Sequence, residues 1–468
     1  MTSRRDFLKG FAAFAASMGG YEAFAKYELP AAVPAYYDAY LAERVATINR
    51  RRMEEGFAAG FFFVTDLHIL SNRKLSGLLI ARLVQATGIR RVICGGDLPV
   101  AFGSPAQLDE IAKDLWPRCW VKPLEQAGAQ LFVVKGNHDF HITAKDKRAE
   151  HIGLQYSAAE TAEILMRANG NAAAEKDRGN AAACYCLYDD ATEKVRYVFA
   201  DTSDAPCAHQ EKCGVAGGHI QMSARQLRWL AKTAFGTVPS GYRVIVVQHV
   251  PVSPVVVTRT VGPTLLTFRR LMEAYQAKGR VEIDGETFDY SGRTGGDIAV
   301  NLTGHHHSDR QSSFGGILHV SESCDASYND YVRRTPFSGA LPKKAGGSVY
   351  EQTFDCVQFN FNSARMSVTR FGGGQDRTYH LDTIRLKSGE TKKLACASLR
   401  DAANWKAFDC DAVKISDKAT TPEAYWTFAH EHGDVAADGV FTAGKPGPAM
   451  AVALDKSFNK EFFRLEIV

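Results

Sequence analysis

From residue 57 onward the chain repeats one pattern: a short, almost wholly apolar burst followed by a longer amphipathic stretch. The bursts are Phe61 to Thr65, Arg91 to Cys94, Leu131 to Val134, Cys184 to Tyr188, Val195 to Ala200, Arg243 to Val247 and Ile298 to Leu302. Such runs, too short for helices and rich in Val, Ile and aromatics, read as strands buried on both faces. The intervening stretches predict helices near Leu75 to Ala86, Gln107 to Gln126, Ser223 to Phe235 and Phe268 to Ala277. Ser223 can cap its helix, and Leu227, Leu230, Ala231 and Ala234 share one face of it. This alternation demands an α/β fold. The polar, Ala-rich residues 141–183 are expected as a helical insertion over the surface, and the basic run Arg50-Arg51-Arg52 as a solvated helix face. From Gln311 to Thr369 strands follow one another without helices, broken by a Gly/Pro/Lys loop around Ser338 to Gly347, which suits a second sheet. Beyond Leu386 short strands and turns predict an accessory β-rich module.

Five of the bursts end in residues that bind metals. Asp66-x-His68, Gly96-Asp97, Gly136-Asn137-His138-Asp139, His249 and Gly304-His305-His306-His307 each stand just past an apolar strand, where α/β proteins place their ligand-binding loops. Carboxylate, amide oxygen and imidazole together suit Mn, Fe or Zn better than Ca, which takes oxygen alone. In an extended segment residues two apart point the same way, so Asp66 with His68, and His305 with His307, are each expected to converge on one ion, with His306 turned away. Asp97 has two carboxylate oxygens with which to bridge two ions. A lone Asp-x-His or Gly-Asp pair carries little weight, and Gly-Asn-His-Asp alone could be a turn. Five in this order carry far more.

In that order the motifs resemble the calcineurin-like metallophosphoesterase family, with its D-x-H, G-D, G-N-H-[DE], H and G-H-x-H pattern, over roughly residues 57 to 375. The resemblance implies a four-layer α/β/β/α sandwich over residues 57–385, followed by the β-rich module at 386–468. It implies Asp66, His68 and His307 on a first metal, Asn137, His249 and His305 on a second, Asp97 between them, and His138 facing the substrate as the group that protonates the leaving oxygen. It also implies two divalent or trivalent transition-metal ions and hydrolysis of a small phosphate mono- or diester by a metal-bridging hydroxide. The chain departs from the pattern at Val100, where many members carry an acid that pairs with the motif histidine, and at Ala101, where protein phosphatases carry Arg. Purple acid phosphatases have Tyr at the Val100 position and Gly in place of His68. Both branches are thereby disfavoured. Substrate selectivity is expected in loops such as 141–183 and 204–219.

Composition sets the remaining limits. A net charge of only +4 over 468 residues, scattered rather than striped, leaves no nucleic-acid partner expected. Ser3-Arg4-Arg5-Asp6-Phe7-Leu8-Lys9 before the apolar run Gly10 to Met18 resembles a twin-arginine export signal, with Ala23-Phe24-Ala25 as a cleavage site. Residues 1–25 are therefore expected to be removed, 26–56 to form a lead-in, and the mature protein to be exported by the twin-arginine machinery to the periplasm without a transmembrane segment. Of the ten cysteines, Cys94 and Cys356 read as small buried hydrophobes, while Cys184 with Cys186, or Cys207 with Cys213, could pair as disulfides. An alternative function also follows from the tail: Trp405, Tyr425, Trp426 and Phe428 could line a glycan-binding face on a metal-binding envelope protein of weak catalysis.

Overall fold

The computed structural model of the chain describes every residue except 1–31, 70–74, 100–104, 140, 143–152, 155, 206–219, 253–261, 327–334, 340, 343, 400, 403, 417–418 and 420. The export pattern, Val100, Ala101, Cys207 and Cys213 thus lie outside the described residues. Among the described residues no helix is long and apolar enough to cross a membrane.

The apolar bursts become strands of two sheets. β1 (Ala59–Val64), β2 (Arg91–Cys94) and β3 (Gln130–Val133) run parallel to one another. The chain then builds a second sheet from β4 (Glu175–Lys176), β5 (Cys186–Asp190), β6 (Val195–Ala200), β7 (Arg243–Gln248), β8 (Ile298–Thr303), β9 (Arg310–Phe314) and β10 (Ile317–Ser321). It returns to the first with β11 (Thr353–Asn360), β12 (Arg365–Gly372) and β13 (Arg377–Leu386), and adds β14 (Asn404–Asp409), β15 (Gly447–Leu454) and β16 (Lys460–Ile467). The nine-stranded sheet has the order β14-β15-β16-β13-β12-β11-β1-β2-β3, and the seven-stranded sheet β9-β10-β8-β7-β6-β5-β4.

Helices cover the outer face of each sheet, giving the four-layer α/β/β/α sandwich. α1 (Asp38–Glu54) and α2 (Ser76–Thr87) bury Leu41, Ile48, Leu79, Ile80 and Leu83 against the nine-stranded sheet. α3 (Ala224–Trp229), continued by a π turn over Leu230–Phe235, and α4 (Pro263–Gln276) bury Leu227, Leu230, Phe268 and Leu271 against the other. Ser223 caps α3 by accepting from Gln226 N, as its sequence predicts. Strand alternation divides the phenylalanines of β1 between the two faces of the sheet. Phe61 meets Tyr197 of β6 edge-on across the inter-sheet gap, with ring centroids 5.9 Å apart. Phe62 instead meets Phe371, against which Tyr40 of α1 packs.

Several expectations need correction. The stretch 311–369 does not form one second sheet: β9 and β10 do lie there, but β11 pairs antiparallel to β1, with Phe63 opposite Asp355, and β12 pairs antiparallel to β11. A strand pattern reports burial and period, not which sheet edge the strand returns to. Residues 386–468 are β-rich, yet β14, β15 and β16 continue the nine-stranded sheet, β16 running parallel to β13. Residues 141–183 are not all surface insertion. The short helix Asn169–Ala173 lies on the open edge of β3, where Asn169 and Asn171 accept from Leu131 N and Val133 N, both at 2.7 Å, and donate to Ala129 O and Val133 O. Two side-chain amides thereby replace a missing neighbouring strand. Arg51 is buried, not solvated, donating to Thr369 Oγ1 and Asp376 Oδ2. Cys184 and Cys186 are free, buried thiols, as are Cys94 and Cys356.

Candidate metal centre

All the motif residues gather at one end of the sandwich, at the carboxyl ends of the parallel strands. Asp66 and His68 follow β1, Asp97 follows β2, Asn137 and His138 follow β3, His249 follows β7, and His305 and His307 follow β8. The first sheet thus supplies five of these eight residues and the second sheet three. Backbone ladders continue past the strands to lock the loops: Asp66 N donates to Gly96 O at 2.9 Å, His68 N to Asp97 O at 3.1 Å and Gly304 N to His249 O at 3.0 Å.

The convergence is not achieved by strand alternation. Asp66, His68, Asp97, His305 and His307 have φ of 52°, 37°, 57°, 72° and 56°, all in the left-handed region, so each segment turns where an extended chain was expected. Asp and His enter this region more readily than most residues, at a cost on the order of 1 kcal/mol each, and such strain collects at functional sites. His306 does not simply point away, for its ring stands edge-on to that of His305 with centroids 5.1 Å apart. The motif glycines answer to close approach. A Cβ on Gly304 would come within 2.0 Å of Thr65 Oγ1 and 2.5 Å of Asp66 Oδ2, and one on Gly136 within 2.2 Å of Asp97 Oδ1.

Two ligand groups result. Asp66, His68 and His307 form one, with His307 Nε2 3.1 Å from both Asp66 Oδ1 and His68 Nε2. Asp66, Asp97 and His249 form the other, with His249 Nε2 3.1 Å from Asp97 Oδ2 and 3.9 Å from Asp66 Oδ1. Asp66, expected to serve the first ion alone, therefore stands in both groups. Asn137 Oδ1 and His305 Nδ1 lie 2.7 Å apart, and the His305 ring meets that of His249 edge-on at 5.4 Å. His138 is half-buried, donates its backbone N–H to Asp97 Oδ1 at 2.8 Å, and has its ring 5.9 Å from that of His68.

The residues fit cations. Pro99 O sits 2.9 Å from His68 Nδ1, and Gly95 O 2.8 Å from His249 Nδ1. A carbonyl only accepts, so Nδ1 carries the proton and Nε2 presents its lone pair inward, the usual arrangement behind a ligating histidine. Asp66 Oδ1 and His249 Nε2 are buried without a hydrogen-bond partner, a costly state unless something else satisfies them. In the absence of a bound cation the two carboxylates draw a proton onto His249. Burial would lower His249, yet Asp97 and Asp66 hold it up at about 10. Burial, with repulsion from His307, pushes His68 down to about 4, and burial, with repulsion from His249, pushes His305 down to about 3. Burial would raise the Asp66 carboxyl, but His307 and His249 hold it well below the carboxylate range, and His249 and His138 do the same for Asp97.

Motif reading missed the groups behind these ligands. Asp139, 1% exposed, accepts from Leu98 N at 2.7 Å and Gly136 N at 2.6 Å, so it ties the Asp97 loop to the Asn137 loop. Burial and the charge of Asp97 push its carboxyl up to about 7. Its place in Gly-Asn-His-Asp was the available signal. Thr65 Oγ1 donates to Asp66 Oδ2 at 2.8 Å, which turns Oδ1 inward.

Neither a protein-family model nor a curated protein matches the chain. Solved structures do. A dimetal phosphatase from Danio rerio aligns with 68% of this chain and 98% of its own at 13% identity and a TM-score of 0.44. The phosphopantetheinyl hydrolase of Mycobacterium tuberculosis aligns with 57% of this chain and 89% of its own at 14% identity and a TM-score of 0.29. GAP50, the anchor in the inner membrane complex of Plasmodium, aligns with 66% and 82% at 10% identity and 0.31. At these scores the likenesses decide nothing about this chain, whose own residues carry the reading.

Proposed function

We propose that the chain is a phosphoesterase working with two bound transition-metal ions. The observation that carries this is the pair of buried ligand groups sharing Asp66, with the Nδ1 atoms of His68 and His249 tied to carbonyls and an orphaned carboxylate oxygen and imidazole nitrogen between them. Asp66, His68 and His307 would hold one ion, and Asn137, His249 and His305 the other, with Asp97 reaching both. Two such ions supply Lewis acidity towards phosphoryl oxygens and lower the pKa of bound water to about 7.

The chain's own residues would do the rest. The two sheets hold the ligands on opposite walls, so a phosphate group entering between the loops is oriented from both sides. His138, fixed through its backbone to Asp97 and with its ring beside that of His68, would hold a proton for the leaving oxygen. No serine or cysteine nucleophile is required, and the described thiols are buried or half-buried. The glycan-binding alternative loses its platform: Tyr425 and Trp426 are buried, with the Trp426 ring stacked on Phe428 at 5.6 Å. Export by the twin-arginine route completes the proposal. Replacing Arg4 and Arg5 by Lys should leave the precursor in the cytoplasm, and unchanged export would refute that part.

The deciding experiment loads chelator-stripped protein with Mn, Fe or Zn and offers it phosphomonoesters and phosphodiesters. Turnover of at least one class, lost on chelation, is expected. A protein holding two ions that hydrolyses none of them would sink the reading.

A further inference from the structure

We propose that Lys135 and Asp201 form a positioning pair that sets the separation of the Asn137 and His249 loops. The inference rests on the two-ion reading above and adds to it a pair outside every motif. Lys135 immediately precedes Gly136-Asn137 at the end of β3 and is 7% exposed. Its Nζ crosses between the sheets, 3.1 Å from Asp201 Oδ2 and 2.8 Å from Ser203 O. Asp201 is the first residue past β6 and is 1% exposed.

The receiving side is held rigidly. The amide of Gln226, on α3, accepts from Asp201 N and donates to Asp201 O, both at 2.8 Å. Asp201 Oδ1 accepts from Ser203 N at 2.8 Å. Between them Thr202, fully buried, accepts through Oγ1 from Val250 N at 3.3 Å, and Val250 follows His249 directly. Residues 201–203 therefore form a bracket: one end takes the lysine that leads into Asn137, and the other takes the backbone beside His249.

Stability alone explains such a pair poorly, because a buried ion pair is commonly no more stabilising than apolar residues of the same volume. What it adds is direction. Apolar packing between two sheets is non-directional, whereas an ammonium held by one carboxylate oxygen and one carbonyl has one placement. That matters at this position because Asn137 offers a neutral oxygen and His249 comes from the facing sheet, so the ion they share depends on the gap between the sheets. Partners behind metal ligands typically contribute about 10–100-fold to metal affinity.

The test is a calorimetric Mn²⁺ titration of chelator-stripped wild type, Lys135→Met, and the double variant Lys135→Met/Asp201→Asn. The double variant leaves no uncompensated buried charge, and its amide oxygen still accepts from Ser203 N. Both variants should bind a first ion as the wild type does and a second about 10–100-fold more weakly, with the double variant unfolding thermally like the wild type. Wild-type protein that takes up fewer than two ions would overturn the two-ion reading and this role with it. Wild type binding two while the double variant also binds both at unchanged affinity overturns the positioning role alone. So does equal weakening of both ions, or loss of the fold in the double variant.

Discussion

The two halves of the proposed metal centre are braced differently. Behind His307 lies a cluster of five buried ionisable groups. Asp309, two residues on, meets Arg370 Nη2 and Arg377 Nη1, both at 2.7 Å, while Asp355 of β11 takes Arg370 Nε at 2.8 Å and Glu322 takes Arg377 Nη2 at 2.6 Å. The cluster joins strands of both sheets. Behind Asn137 and His249 the described residues place a single ion pair, Lys135 with Asp201, beside the carboxylate of Asp139 that accepts from Gly136 N. Redundancy is unevenly spread: the Asp66, His68 and His307 group is fixed by many directional contacts and the other group by fewer. Damage to the first brace should therefore appear as lost stability, and damage to the second as lost metal.

The most severe way to break the comparison is at the residue the halves share. Because Asp66 Oδ1 belongs to both groups, Asp66→Asn should weaken both ions, with activity falling by several orders of magnitude. Asp97→Asn should leave about one ion or fewer, since a neutral amide is a poor bridge. Metal analysis by mass spectrometry beside a phosphatase assay reads both. An Asp66→Asn protein that keeps one ion at full affinity would show that the halves are independent. His138→Ala comes next, with turnover lowered roughly 10²- to 10⁴-fold at normal metal content. Nitrophenyl esters should suffer less than alkyl phosphates, and equal losses for both would remove the acid role.

Arg377→Met sharpens the contrast between the braces. It leaves buried carboxylates uncompensated and should cost about 3–5 kcal/mol of stability, with both ions retained by whatever protein stays folded. Denaturant melts followed by metal analysis check this, and selective loss of one ion at full stability would reverse the assignment. The smallest effect is a pH dependence next to the weaker brace. Asp204 accepts from Ser223 N at 2.7 Å, and burial together with the charge of Asp201 pushes its carboxyl up to about 6. Its folded pKa lies above the ordinary carboxylate value, so the native state holds the proton longer than the unfolded chain. Metal-free protein should therefore lose stability as pH rises from about 4 to about 6, by about 1–2 kcal/mol after discounting partial exposure. Asp204→Asn should flatten that interval in urea titrations, and an unchanged slope would assign it elsewhere.

Local chemistry was legible from the sequence. Apolar bursts of strand length announced the buried parallel strands, and Asp, His and Asn just past them announced the cluster that gathers at one end of the sheets, because residue type and hydrophobic period act over a few neighbouring positions. The extended geometry assumed for Asp66 with His68 was not right, because the left-handed turns that join them are stabilised by Gly96 and Asp97 from another strand end. Arg370 and Arg377 alternate like ordinary strand residues and carry no mark of their burial against Asp309. Lys135 and Asp201 are 66 residues apart, and nothing local to either names the other. The sequence by itself thus determined the strands, the residue types just past them and the end of the sheets at which they collect. Only the tertiary structure decided which of those side chains stand within reach of one another, where the tail strands return, and which buried charges meet, because these depend on pairings between distant segments that the packing of two sheets creates.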